Sequence, residues 1–192
     1  MIINLLRKIY YFNSIRKFKC IGKNVILSKG GVFIHPEEIS LGSNIFIARN
    51  FHISAKNLSI GNNVMIGPNL VIECTNHKYN KIGISMFEYQ NEKEEGFVVI
   101  ENDVWIGANV TILPNVIIRE GCIIGAGSVV TKEMPPYSIC VGNPCVPIKK
   151  RFSDIELKEH LQKINSNYKF ETILLMFEKY RKNKNETTNT AT

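Results

Sequence analysis

The sequence predicts an all-β domain, a parallel β-helix assembled from six-residue repeats, and three observations predict it. Stepping by six from Ile100 meets Ile106, Ile112, Ile118, Ile124 and Val130 without a polar interruption. A companion column two residues earlier holds Val98, Val104, Val110, Val116, Cys122 and Ser128. Between the columns stand turn formers, Asn62-Asn63, Pro68-Asn69, Asn102-Asp103, Pro114-Asn115 and Glu120-Gly121. A strict period of six with a second column at offset four drifts around a 3.6-residue helix, so no helical stripe can use this pattern. Short strands ended by tight turns can. Three of them closing a triangle make one coil, and coils stack at the ~4.8 Å spacing of any sheet. So narrow a prism suits small and β-branched side chains.

The elements follow in chain order. Residues 1–19 place Ile2, Leu5, Leu6, Ile9 and Tyr10 on one helical face, broken by Arg7, Lys8, Arg16 and Lys17 and without a small-residue cleavage site. That predicts a basic amphipathic helix rather than a signal peptide or a membrane span. Two readings fit it: peripheral contact with a membrane surface, or a cap on the open end of the domain. A weak copy of the repeat begins at Ile21 with Val25 and Leu27 and is disturbed near "HPEE". It then runs as Leu41, Ile47 and Ile53 and, after one extra residue, Ile60, Ile66 and Ile72, with companions Ile39, Ile45, Phe51, Leu58, Val64 and Leu70. Residues 74–97 lack the repeat and read as an excursion, after which it resumes, so the repeat domain spans 20–152. Ser153 and Asp154 offer an N-cap to the apolar positions Ile155, Leu157, Leu161 and Ile164. With Ile173, Leu174, Met176 and Phe177 these predict two helices within 153–182, followed by a tail, 183–192, poor in apolar residues and expected to be disordered.

Composition narrows the function classes. The 192 residues suit one domain, and the 44% hydrophobic content excludes disorder for most of it. Lys and Arg number 24 against 17 Asp and Glu, a net charge of +7 that favours an anionic partner without choosing among nucleic acid, lipid headgroup and phosphorylated cofactor. Cys20, Cys74, Cys122, Cys140 and Cys145 are odd in number and form no CxxC pair. They read as reduced, packed thiols of a cytoplasmic protein rather than a disulfide framework or a zinc site.

One histidine stands out in "ECTNHKYN", residues 73–80, where the repeat stops and the excursion starts. A zinc site needs three or four ligands, and His35, His52 and His160 lie far from His77 in sequence. No metal is therefore expected. The polar neighbours Asn76, Lys78 and Tyr79 argue against a packed core imidazole, which leaves a solvated loop histidine or a general base.

The stretch "DVWIGANVTILPNVIIREGCIIGAGSVVTKEMPPYSICVGNPCVPIKKRF" closely resembles the hexapeptide-repeat acetyltransferases. The resemblance is greatest to the branch of galactoside and maltose acetyltransferases and bacterial polysaccharide O-acetyltransferases, and it covers roughly residues 20–152. It implies a left-handed β-helix and a homotrimer whose active sites lie between subunits. Acetyl-CoA is the implied acyl donor and a saccharide, such as O-antigen or capsular material, the acceptor. It also accounts for the cationic balance without nucleic acid, because CoA carries a 3′-phosphate and a pyrophosphate. His77 takes the position of the family's catalytic base. Trp105, Ala108 and Ala126 resemble residues beside the active site and the pantetheine arm, and Thr131, Lys132, Lys149 and Arg151 resemble positions at the nucleotide end. Asn50, with Asn76, is the implied acceptor contact. Glu73 or a loop carbonyl would orient the His77 ring. The same base would serve an amine acceptor, and an inert β-helical scaffold is the alternative from another class. The location expected is cytoplasmic, with the inner face of the cytoplasmic membrane left open by residues 1–19.

Overall fold

A computed structural model of the protein describes residues 17–189, so the helix expected over 1–19 lies, but for its last three residues, outside the described residues. The chain winds through three sheets in rotation. The first sheet stacks Cys20–Ile21, Ile39–Leu41, Leu58–Ile60, Val98–Ile100 and Val116–Ile118. The second has seven strands, from Val25–Leu27 through Ile45–Ile47, Val64–Ile66, Trp105–Ile106 and Ile123–Ile124 to Ser138–Val141, with Val146–Lys150 added antiparallel at its edge. The third stacks Val32–Ile34, His52–Ser54, Val71–Glu73, Thr111–Ile112 and Val129–Val130. Apart from that last edge strand, every neighbour within the three sheets is parallel. The expected parallel β-helix is therefore the fold.

The two sequence columns are its interior. Ile39, Ile45, Ile53, Val64, Ile72, Ile106, Ile112, Ile118 and Ile124 are all buried in one cluster, and Ser128 lies inside with them. The buried Ser128 satisfies itself locally: its Oγ donates to the Gly125 carbonyl at 2.7 Å and accepts from the Gly142 amide at 3.1 Å. Turning the chain at each corner requires a left-handed residue, a conformation that asparagine tolerates better than most side chains. Asn63, Asn69, Asp103, Asn115 and Gly121, the second residues of the five sequence turns, all have positive φ. Their amides also bind coil to coil. Asn24 Nδ2 donates to Asn44 Oδ1 at 3.1 Å, Asn44 Nδ2 to Asn63 Oδ1 at 2.9 Å, and Asn69 Nδ2 to Asn109 Oδ1 at 2.8 Å. At Gly107 an added Cβ would come within 2.6 Å of the Ala126 amide, so the coils there stack too closely for any side chain.

Helices α1 (Asp154–Ile164) and α2 (Phe170–Asn189) follow the coils. A capping box starts α1: Ser153 accepts from the Glu156 amide while the Glu156 carboxylate accepts from the Ser153 backbone N–H. Leu157, Leu161 and Ile173 pack with Tyr137, whose hydroxyl donates to the buried Glu120 at 2.6 Å. Tyr168 donates to Glu101 at 2.8 Å and accepts from Arg119 at 3.0 Å, which fastens the segment between the helices to the last coils. The second helix runs on to Asn189, past the boundary at 182 expected from composition. Each added helical residue gains one backbone hydrogen bond once a nucleus exists, so weakly helical residues extend a turn that packing has started. No described helix is long and apolar enough to cross a membrane.

Candidate active site

Cys74 ends the third-sheet turn. Its amide donates to Ser54 O at 3.0 Å and its side chain is buried in the core. Burial, then the charge of Glu73, pushes the thiol up to about 12, so it stays protonated and structural. Beyond it the excursion, which sequence alone left without regular structure, is rooted as an antiparallel hairpin of Thr75–His77 and Lys93–Glu95. Thr75 faces Glu95, Asn76 faces Glu94, and His77 faces Lys93. The Gly96 amide closes the root onto Cys74 O at 2.7 Å. Lys56, on the preceding coil's corner, binds Glu95, and that hydrogen bond and charge hold its ammonium above the ordinary lysine range. Further out, Lys78 pairs with Glu92 at 3.4 Å. Near the tip, Ser85 Oγ donates to Glu88 at 2.8 Å, which with the Ser85 backbone N–H holds that carboxyl below its usual range.

His77 is exposed, and its Nδ1 lies 2.7 Å from the carbonyl oxygen of Gln90 on the returning limb. A carbonyl only accepts, so Nδ1 carries a proton, and in the neutral ring Nε2 is the nitrogen that holds the lone pair. Of the two orienting groups the sequence offered, the loop carbonyl therefore holds the ring. Glu73 points elsewhere, 3.9 Å from His52 Nε2 on the neighbouring strand. Among the described residues no three His, Cys, Asp or Glu side chains gather as a metal site.

The remaining expected site residues fall on the second sheet, at the three corners of the prism and on the hairpin. Trp105 is half-exposed on the outer face of the second sheet, in register with Met65 and Ile123. Ala108 and Ala126 follow on the corner between the second and third sheets, the corner that also holds Asn50 at φ 60°. Both carry small side chains, Ala108 partly buried and Ala126 exposed. Lys149 is exposed on the antiparallel edge strand. Thr131 and Lys132 lie on the corner between the third and first sheets, the same edge from which the hairpin springs, with the Lys132 ammonium 4.8 Å from the centre of the Tyr180 ring. Arg151 is spent at the third corner, donating to Asp103 at 2.7 Å and to the Gly121 carbonyl at 3.2 Å. Asn76 sits on β-structure next to His77 and so faces the opposite side of the hairpin. Sequence reasoning missed the Gln90 carbonyl and the facing lysine, Lys93. The hydrogen bond from His77 reveals the first and the strand register the second.

Residues 97–132 match the model of the bacterial transferase hexapeptide family, described as six repeats. A maltose O-acetyltransferase from Clostridium difficile 630 superposes with a TM-score of 0.64 at 34% identity, over 70% of this chain and 71% of that one. A galactoside acetyltransferase in complex with coenzyme A gives 0.67 at 28% identity, over 84% and 76%. A chloramphenicol acetyltransferase of Klebsiella aerogenes is 37% identical over 108 residues, 50% of this chain and 51% of that one. The chain spans about a third of the length of the first curated relatives it matches, 36% of one from Staphylococcus aureus (strain COL).

Proposed function

Because the chain belongs to the hexapeptide-repeat acetyltransferases, we propose that it transfers acetyl from acetyl-CoA to a saccharide hydroxyl with His77 as general base. The observation that carries this reading is the 2.7 Å bond from His77 Nδ1–H to the Gln90 carbonyl, which presents a bare Nε2 to an incoming hydroxyl. The acceptor oxygen attacks the thioester carbonyl carbon while its proton passes to Nε2. The carbon–sulfur bond breaks, and His77 returns the proton to the departing thiolate. Backbone N–H groups near Ala108 of a second copy serve the developing oxyanion. The names of the maltose O-acetyltransferase and galactoside acetyltransferase relatives favour a sugar acceptor, and the sequence resemblance to polysaccharide O-acetyltransferases extends that reading to polysaccharide modification.

The site is shared between copies in a homotrimer. Within one chain, His77 and the Ala108–Ala126 corner stand at different edges of the prism, separated by a sheet face, so one linear donor reaches both most simply across a subunit boundary. Exposed apolar groups support such a contact. Ile26, Phe46, Met65 and Trp105 stack as a half-exposed column outside the second sheet, and Ile82, Met86 and Phe87 stand out from the excursion. The donor then lies between Ala108, Ala126, Trp105 and Lys149 of one copy and Thr131 and Lys132 of the next. Arg151 joins them only by giving up Asp103.

The test is thiol release from acetyl-CoA with a panel of sugars and amino sugars, the product then treated with mild alkali. An O-acetyl product is cleaved and an N-acetyl product survives. Turnover confined to amines would overturn the saccharide-hydroxyl reading.

A further inference from the structure

A cavity of about 470 Å³ lies under the root of the hairpin, within the size range of small-ligand sites. Its lining includes Ile34, Ser54, Ala55, Thr75, Lys93 and Glu95. Partners directly opposite on an antiparallel pair project to the same side, and so do alternate residues on one strand. Thr75, His77, Lys93 and Glu95 therefore share one face of the hairpin, and Asn76 and Glu94 share the other. The hairpin strands line the cavity from the first set alone, so it opens on the face that carries His77. Ile34 and Ala55 supply apolar surface for the C–H side of a sugar ring, and Ser54 and Thr75 supply hydroxyls.

The charges around it are unevenly spent. The Lys56 ammonium is taken by Glu95, the Lys78 ammonium by Glu92, and the Glu73 carboxylate faces His52. His35, on the cavity wall, is paired with Glu37 at 3.2 Å. Lys93 has no side-chain partner among the described residues, although it stands directly across the ladder from His77. An exposed ammonium without an ion-pair partner on the wall of a polar cavity is available to an anionic group of a bound molecule.

Building on the reading of His77 as base, we propose that the acceptor is an anionic saccharide whose carboxylate or phosphate group seats on Lys93 while a hydroxyl of the same molecule reaches His77 Nε2. The cross-strand pairing sets the reach, since directly opposite Cβ atoms stand about 4.5–5.5 Å apart. The charge and the reacting hydroxyl thus lie within one or two sugar rings of each other. Lys93 is a specificity residue in this scheme, because it acts on the bound group and not on the transferred acetyl.

Acetyl transfer by the full chain is compared for methyl glucuronoside, methyl glucoside and glucose 6-phosphate, with Lys93→Met and Lys93→Arg alongside. The expected result is a preference of at least tenfold in kcat/KM for one or both charged acceptors over the glucoside. Lys93→Met collapses that ratio toward one, chiefly by raising KM for the charged acceptor, and Lys93→Arg restores most of it. Whichever arm wins tells carboxylate from phosphate. Equal use of neutral and charged acceptors, or an equal loss on all of them in Lys93→Met, overturns the proposal and leaves the acetyltransferase reading standing. If no hydroxyl acceptor turns over at all, that reading fails instead. Calorimetric binding of the glucuronoside and of the phosphosugar then decides the present proposal: binding weakened tenfold or more in Lys93→Met upholds it, and binding of neither ligand, or binding that Lys93→Met leaves as tight, overturns it.

Discussion

Replacing His77 by asparagine separates the two jobs of the imidazole. An asparagine amide carries its nitrogen at the δ position, where it can still donate to the Gln90 carbonyl that His77 Nδ1 reaches at 2.7 Å. It has nothing at the ε position to accept a proton. The hairpin then keeps a hydrogen bond worth about 0.5–1.5 kcal/mol, and the cross-strand pairing with Lys93 is untouched. Under the proposed mechanism the reaction loses its base, an effect on the order of 10²–10⁴ in rate, or about 2.7–5.4 kcal/mol of barrier at roughly 1.36 kcal/mol per tenfold. The assay is steady-state thiol release under saturating acetyl-CoA, with the melting transition of each protein recorded in parallel. His77→Asn is expected to melt like the parent while kcat falls at least a hundredfold. His77→Ala is expected to lose the same rate and, in addition, some of the hairpin's order. An asparagine variant that retains more than a tenth of the parent kcat would refute the assignment of Nε2 as the proton acceptor.

Other expectations concern the scaffold. Ile106→Ala, in the middle of the buried column, is expected to cost about 2–5 kcal/mol in urea unfolding; a cost under about 1 kcal/mol would mean that the column is not the core. Alkylation of the native protein at pH 8 should modify Cys20, which is exposed, and spare Cys74 and Cys145, pushed by burial up to about 12 and about 11. Mass spectrometry showing Cys74 labelled as fast as Cys20 would contradict its packing. The Glu156 carboxyl is held below its ordinary value, first by the Ser153 side chain and then by the Ser153 backbone. Its contribution is present above the unfolded-state value and lost as pH falls through the folded one. The stability gap between the parent and Ser153→Ala should therefore be widest near neutrality and narrow below about pH 4; a gap unchanged from neutral to acid would rule out that linkage.

The scaffold was legible because its information is repeated. Each interior position of a coil obeys the same steric rule, so columns such as Ile100 to Val130 declare themselves several times over, and the corner asparagines do so again. The excursion obeys no such rule. Its strand Lys93–Glu95 is entirely charged and exposed, and nothing in "NEKEEG" distinguishes a ladder from a solvated loop until the partner strand is known. His77 was singled out by its position at the end of a coil, whereas Gln90 acts through a backbone oxygen that any residue would supply. Arg151 shows the converse. Sequence marks a cation near the end of the coils, and only the fold reveals that Asp103 occupies it.

The spacing of the corner asparagines carries one more consequence. Bonded neighbours on successive coils stand 20 residues apart from Asn24 to Asn44 and 19 from Asn44 to Asn63, yet 40 apart from Asn69 to Asn109, where the excursion intervenes. The amide bond across that interval is as short as the others. A coil corner is thus a place where chain can be paid out freely, because the rungs above and below find each other whatever hangs between them. Grafting a hairpin from another chain of this architecture between Cys74 and Gly96 is then a modular operation, and new acceptor chemistry can be acquired by exchanging a loop while the stack that holds it stays the same.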